Sequence, residues 1–248
     1  MSPSRTLLVI PHYRDVRRIE PFLKDLVSTL PPTFSILISD DGSPAEDVAE
    51  LRQLIQRLAA PFILEPLIAD KNRGKGAAVY AGWRAGLKMD VECLAFADAD
   101  GAVSASEILR AHRSWTERTT PPDVLIGSRM AIAGRTVERR WIRHVGGRVF
   151  AGLVSCITGL PVYDTQCGFK MLKREAFEAV EPDVEATGFA FDVELLMLLQ
   201  RRGFRLEEFP VDWRDVRHGK VSLVREAIPM LIEVCHARSR VEAIRERS

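Results

Sequence analysis

Cys93-Leu94-Ala95-Phe96-Ala97-Asp98-Ala99-Asp100-Gly101 is an apolar run that ends in two carboxylates one residue apart. Residues 93–97 read as a buried strand, and in an extended chain residues i and i+2 share a face. Asp98 and Asp100 are therefore expected to converge just past the strand end, where Gly101 permits a sharp turn. Two carboxylates held close repel one another unless a cation lies between them. The cation that suits hard oxygen ligands and a shared phosphate is Mg²⁺ or Mn²⁺, which makes Asp98 and Asp100 candidate metal ligands. Asp and Gly at a strand end are also ordinary turn formers, so the metal reading draws its weight from the neighbouring stretches.

Upstream, residues 6–10, 34–39 and a segment within 62–69 are β-type runs. Apolar residues at helical spacing fill 16–30, and further helices are expected from Ser43 to about residue 60 and from about residue 75 to 88. Ser43, with Pro44 behind it and Glu46 three residues on, is expected to cap the second helix. Downstream come a helix near 104–117 and a strand at 124–127. Alternation at this rhythm implies an α/β fold with a doubly wound, mostly parallel sheet and helices on both faces.

Open α/β sheets bind ligands at the carboxyl ends of their strands. Those ends here are Pro11-His12-Tyr13-Arg14-Asp15, Asp40-Asp41-Gly42-Ser43, Asn72-Arg73-Gly74-Lys75-Gly76, Asp98-Ala99-Asp100-Gly101 and Gly127-Ser128-Arg129. An aromatic can stack on a base, a carboxylate can accept from an imide or ribose hydroxyl, and Arg or Lys can hold phosphate. Each loop alone is unremarkable, but five in succession favour a nucleoside-diphosphate site. No Gly-x-Gly-x-x-Gly follows the first strand, and Gly74-Lys75-Gly76 lacks the spacing and hydroxyl of a P-loop, which argues against dinucleotide dehydrogenases and P-loop NTPases.

Composition sets the outer bounds. With 248 residues, 46% of them hydrophobic, the chain can form one large domain with a sizeable core. A net charge of +1 argues against broad nucleic-acid binding. Cys93, Cys156, Cys167 and Cys235 are far apart and read as reduced cytosolic thiols. No stretch has the length and apolarity of a signal peptide or membrane span, so a cytoplasmic protein, soluble or peripheral at the membrane face, is expected. Six arginines lie within 129–148 (Arg129, Arg135, Arg139, Arg140, Arg143 and Arg148), followed by an apolar run at 145–160. Basic then apolar describes either a segment lying at a lipid interface or a packed helix with a solvated basic face. Beyond it come Asp164-Thr165-Gln166-Cys167-Gly168-Phe169-Lys170, a helix at 193–201 opened by Phe191-Asp192-Val193-Glu194, a strand at 204–211, a basic loop at 217–220, and a final helix at 223–241 interrupted at Pro229.

This series of motifs, spanning roughly residues 5–225, resembles the GT-A fold glycosyltransferases of family 2, and within them the dolichyl-phosphate (polyprenyl-phosphate) β-glucosyltransferase and mannose synthase branch. The resemblance implies one GT-A domain over 1–248, with a nucleotide-sugar half at about 5–130, an acceptor half at about 131–225, and a C-terminal helix at about 223–241. It implies an inverting, metal-dependent enzyme moving a hexose from a UDP-glucose or GDP-mannose type donor to a polyprenyl phosphate, or to a soluble acceptor bearing a hydroxyl; a non-catalytic nucleotide-binding protein is the remaining alternative. Carried over position by position, Pro11, Tyr13, Asp15 and Asp41 line the nucleoside pocket. Asp98 and Asp100 hold Mg²⁺ or Mn²⁺, and Lys75, Arg129, Arg217 and Lys220 neutralise phosphate. Asp164 and Gln166 stand near the reacting sugar, Asp164 being the candidate base for a hydroxyl acceptor. Asp164, Asp100 and Arg129 form the expected catalytic set, and 129–160 is the expected site of peripheral membrane contact. The chain departs from the family in Arg14-Asp15, where Asn-Glu is usual, and in His218-Gly219-Lys220, where the glucosyltransferases carry Gly-Ser-Lys.

Overall fold

The computed structural model describes residues 5–129, 136–138, 152–188, 190–214 and 223–245. In order, the chain forms β1 (Thr6–His12), α1 (Val16–Thr29), β2 (Phe34–Asp40), α2 (Ala45–Leu58), β3 (Leu67–Ile68), α3 (Lys75–Gly86), β4 (Cys93–Ala97), α4 (Ala105–Thr116) and β5 (Val124–Ser128). There follow β6 (Val137–Glu138), a helical stretch at 152–158 (α5), β7 (Phe169–Lys173), α6 (Arg174–Val180), α7 (Phe191–Arg201), β8 (Leu206–Pro210), β9 (Trp213–Arg214) and α8 (Leu223–Arg245). One seven-stranded sheet carries the fold, ordered β3-β2-β1-β4-β7-β5-β8. It is parallel except for β7, which runs antiparallel to both of its neighbours. β6 and β9 form a separate two-stranded parallel pair.

The two-residue alternation of the strands divides the core into two layers. Leu7, Val9 and Phe96 pack with Trp83 of α3, Phe177 of α6 and Phe191 of α7, and α8 covers part of the same side. Leu8, Ile10 and Ala95 pack with Ile19 and Phe22 of α1, Leu51 of α2 and Ile108 of α4. Because both faces of the sheet are covered, its central strands are apolar throughout rather than alternating.

Four local features differ from the sequence expectation. β7 was not anticipated, because the charged Lys170 interrupts its apolar run, yet that side chain is fully buried. Running antiparallel, β7 starts at the edge where β4 and β5 end, so the chain delivers residues 164–168 to that edge. Ser43 does not cap α2: Pro44 is the cap residue, and the Ser43 hydroxyl donates to Asp40 Oδ2 at 2.6 Å. The third strand shrinks to Leu67–Ile68 with an isolated bridge between Ile36 and Ile63. α8 runs through Pro229 without a break. Arg135, Arg139, Arg140, Arg143, Arg148, Arg217 and Lys220 lie outside the described residues, and the apolar run at 145–160 is helical over 152–158.

His112, on the inner face of α4, is buried with its ring centroid 4.6 Å from that of Phe34. Burial, with a smaller contribution from Arg113, lowers its pKa from 6.5 to about 4. Between those values the unfolded chain binds the proton and the native state does not, so stability is full above pH 6.5 and falls as pH drops towards 4. Denaturant titrations from pH 7 to 4 are expected to lose up to about 3 kcal/mol through this residue. The His112→Leu variant should show a correspondingly shallower pH dependence, and an unchanged one would contradict the assignment.

Candidate active site

The carboxyl edge of the sheet is tied together by buried aspartates. Asp40, at the end of β2, accepts hydrogen bonds from His12 Nδ1 (2.7 Å), the Ser43 amide (2.7 Å) and the Ser43 hydroxyl (2.6 Å). Burial alone would raise the Asp40 carboxyl, but the bonds from His12 and Ser43 outweigh it and hold the group below its ordinary range. Ser43 Oγ also accepts from the Arg14 amide at 2.7 Å, so Asp40 steadies the β1 and β2 loops together. Asp41 accepts from the amides of Arg73 (2.9 Å) and Gly74 (2.7 Å), and its own amide donates to the His12 carbonyl at 2.8 Å. Asp41 is thus buried and pins the third loop to the first two. Pro11 lies near the end of β1, and Tyr13 and Asp15 lie, exposed, on the loop that follows it. Arg14 and Asp15 both adopt left-handed backbone, at φ 55° and 54°, a conformation the usual Asn would accept more easily than Arg. The Arg14 guanidinium carbon lies 5.0 Å from the Tyr13 ring centroid.

At the end of β4 the extended chain gives way to a turn spanning Asp98 to Gly101, and Gly101 has φ +66°. The strand alternation therefore stops at Ala97, and the two carboxylates take partners from opposite layers. Asp98 Oδ1 pairs with Lys75 Nζ of α3 at 2.5 Å, while Asp100 Oδ2 pairs with Arg18 Nη2 of α1 at 2.8 Å. Asp100 Oδ1 also accepts from the Ala102 amide at 3.1 Å. Burial disfavours the Lys75 ammonium, but Asp98 and then Asp192 outweigh it and keep its pKa above the ordinary lysine value. The Asp98 amide donates to the Gly168 carbonyl at 2.9 Å, and a Cβ on Gly168 would come within 2.2 Å of Asp98 Oδ2. Beneath them, Lys170 Nζ pairs with Asp192 Oδ1 at 2.7 Å and donates to the Cys167 carbonyl at 3.0 Å. Lys75 and Lys170 each lie 5.3 Å from the Phe96 ring centroid. Burial pushes the Asp192 carboxyl above its ordinary range, and Lys170 and Lys75 offset this only in part.

Just past β5, Arg129 closes a fork on Asp164. Nε donates to Oδ2 (2.7 Å), Nη2 to Oδ1 (2.6 Å), and the Arg129 amide to Oδ2 (2.8 Å). The guanidinium carbon lies 5.8 Å from the Trp213 ring centroid, and the Asp164 amide donates to Glu208 at 2.9 Å. Burial disfavours the guanidinium, but Asp164 outweighs it, so the Arg129 pKa is raised further. Gln166 is half-buried on the same segment.

The structure thus gathers Pro11, Tyr13, Asp15, Asp41, Lys75, Asp98, Asp100, Arg129 and Asp164 at one edge of the sheet, on strand ends, loops and the start of α3. Sequence reasoning missed Arg18, and it gave Gly168, Lys170 and Asp192 no role although they stand in the motifs at 164–170 and 191–194. Lys170 carried the one usable signal: a lone cation inside an apolar strand requires a buried anion. Among the described residues no three His, Cys, Asp or Glu are placed to enclose a metal. Asp98 and Asp100 are hard-oxygen donors that fit Mg²⁺ or Mn²⁺ when a diphosphate completes the coordination.

A profile described as "Glycosyl transferase family 2" matches residues 7–181. Dolichyl-phosphate beta-glucosyltransferase of Saccharomyces cerevisiae is 33% identical over 239 residues, covering 90% of this chain and 71% of the yeast protein. Glycosyltransferase AglD of Haloferax volcanii is also 33% identical, over 231 residues, but this chain spans 35% of that protein's length. Among solved structures, glucosyl-3-phosphoglycerate synthase from Mycobacterium tuberculosis, in complex with Mn²⁺, UDP and glucosyl-3-phosphoglycerate, superimposes with a TM-score of 0.68 at 13% identity, covering 95% of this chain and 81% of that one.

The buried Lys170–Asp192 pair gives a direct stability test. Asp192→Asn leaves the Lys170 charge buried without its partner, and urea denaturation should report a loss of about 3–5 kcal/mol. Adding Lys170→Met should recover part of that loss, whereas additive losses would show that the two side chains do not depend on one another.

Proposed function

The chain belongs to glycosyl transferase family 2, and from that premise we propose that it transfers glucose from a nucleoside-diphosphate donor of the UDP-glucose type to a polyprenyl phosphate, with inversion at the anomeric carbon. The names of the curated relatives support the acceptor and the sugar. One observation carries the choice of a phosphate over a hydroxyl acceptor. Asp164, the candidate general base, has both carboxyl oxygens committed to Arg129. A hydroxyl acceptor would have to compete with that guanidinium for the carboxylate it needs as a base. An acceptor phosphate arrives already ionised and finds in Arg129 a cation rather than a need for a base.

The residues divide the work accordingly. Tyr13, Asp15 and the Asp41-pinned loop bound the nucleoside side, with Tyr13 exposed to stack on a base. Asp98 and Asp100 would hold Mg²⁺ or Mn²⁺, which when bound supplies positive charge to the leaving diphosphate. Lys75 stands beside Asp98, within reach of the same phosphates. Arg129, steadied by Asp164, orients the attacking phosphate on the opposite side. On this reading Arg217 and Lys220 add charge from the loop at 217–220, and residues 5–130 and 131–225 serve donor and acceptor respectively.

No helix among the described residues is long and apolar enough to cross a membrane. Contact with the lipid, at the cytoplasmic face on this reading, is assigned to 129–160, where Leu153 is 46% exposed; Tyr163, outside that stretch, is 73% exposed.

Purified protein incubated with labelled UDP-glucose, Mn²⁺ and a short polyprenyl phosphate should give acid-labile label in the organic phase. Asp100→Asn should lower the rate by about 10²–10³. Gly168→Ala should lower turnover while the circular dichroism spectrum stays that of the wild-type fold, because its Cβ displaces the Asp98 side chain. Label that enters only water-soluble glycosides, or no product with UDP-glucose or GDP-mannose, would overturn the lipid acceptor.

A further inference from the structure

Each carboxylate at this corner already has a cation of the chain's own. Lys75 Nζ lies 2.5 Å from Asp98 Oδ1, Arg18 Nη2 lies 2.8 Å from Asp100 Oδ2, and Lys170 Nζ lies 2.7 Å from Asp192 Oδ1. Among the described residues three carboxylates thus face three cations, so each carboxylate is compensated before any ligand arrives. The pairs are not equivalent. Lys170 and Asp192 are sealed in the core, and the Arg18 side chain is 41% exposed and well solvated. Lys75 stands between these extremes at 22% exposure, with Phe96 and Phe191 flanking its ammonium at 5.3 and 5.6 Å. Its partner oxygen, Asp98 Oδ1, is itself out of contact with solvent.

A divalent ion entering alone meets carboxylates that are already paired. To take Asp98 Oδ1 it must displace the ammonium, and it leaves a surplus of two positive charges in a partly buried site, where screening is weak. A nucleoside diphosphate changes that balance. Its phosphate oxygens offer Lys75 a new anionic partner and compensate the ion's charge, so Asp98 is released as the surplus is cancelled.

We propose that Lys75 is a metal-gating counter-ion: its ammonium holds Asp98 in the ligand-free protein and makes divalent-ion binding conditional on a nucleoside diphosphate. The proposal rests on the reading of Asp98 and Asp100 as the metal corner and adds to it the order in which ion and nucleotide bind. It is independent of the acceptor and of turnover.

The test is a titration of the protein with Mn²⁺ alone, following the free-ion electron paramagnetic resonance signal, repeated in the presence of UDP. Wild type should bind Mn²⁺ weakly without UDP and at least about tenfold more tightly with it. Lys75→Met should bind Mn²⁺ at least about tenfold more tightly than wild type in the absence of UDP, and should gain less from adding it. Lys75→Arg keeps the charge and should behave as wild type, and Lys75→Gln, which is polar but uncharged, should follow Lys75→Met if the methionine variant does not fold. UDP-dependent Mn²⁺ binding in wild type, with neither neutral variant binding the ion more tightly on its own, overturns the counter-ion role and leaves the metal corner standing. No Mn²⁺ binding by any of these proteins, with or without UDP, overturns both.

Discussion

The arrangement depends on how Asp98 is held where β4 ends. Its amide is bound by the Gly168 carbonyl, one carboxyl oxygen is held by Lys75, and the other packs over the bare Cα of Gly168. Those contacts come from α3 on one layer and from the segment entering β7 in the sheet itself. Because β7 is antiparallel, its first residues arrive at the edge where β4 and β5 stop. One reversed strand therefore brings the Asp164–Gly168 segment beside the loops that follow the parallel strands. A glycosyl transfer between two bound substrates needs such a meeting of donor and acceptor elements at one edge.

The same strand brings a charge into the core. Lys170 sits near the start of β7 with no exposed surface and is satisfied by Asp192 and the Cys167 carbonyl. A buried pair of this kind contributes little net stability against an apolar replacement, yet breaking it is costly. Its place in the structure is better understood as orientation. It locks the start of α7 to β7, directly beneath Lys75 and Phe96, and so fixes the floor on which the Asp98 corner stands.

Much of this was legible in the sequence. The strands at 6–10, 34–39, 93–97 and 124–127 could be read because both faces of the sheet are covered and the runs are apolar throughout. The loops at the strand ends could be read because acidic, basic and glycine residues recur there in order. β7 was hidden, since the buried Lys170 reads as a break in an apolar run. The i, i+2 rule aligned Asp98 and Asp100 only as far as the strand persists, and the turn beginning at Asp98 sends them to partners in different layers. Arg18 lies on a helix 82 residues from Asp100, and nothing local marks it as that residue's partner. Arg129 and Asp164 were each singled out, but their fork joins positions 35 residues apart and could be seen only in three dimensions.

The central claim is that a sugar donor's diphosphate, with a divalent ion, occupies the edge between the Asp41-pinned loop and the end of β4. A crystal structure of the protein soaked with Mn²⁺ and UDP, with anomalous data collected at the manganese edge, tests it most directly. The account predicts a manganese peak within coordination distance of Asp98 or Asp100, bridged to the diphosphate, with Lys75 turned from Asp98 towards a phosphate oxygen. UDP bound elsewhere, or at this edge with no manganese and with Lys75 still on Asp98, would contradict it.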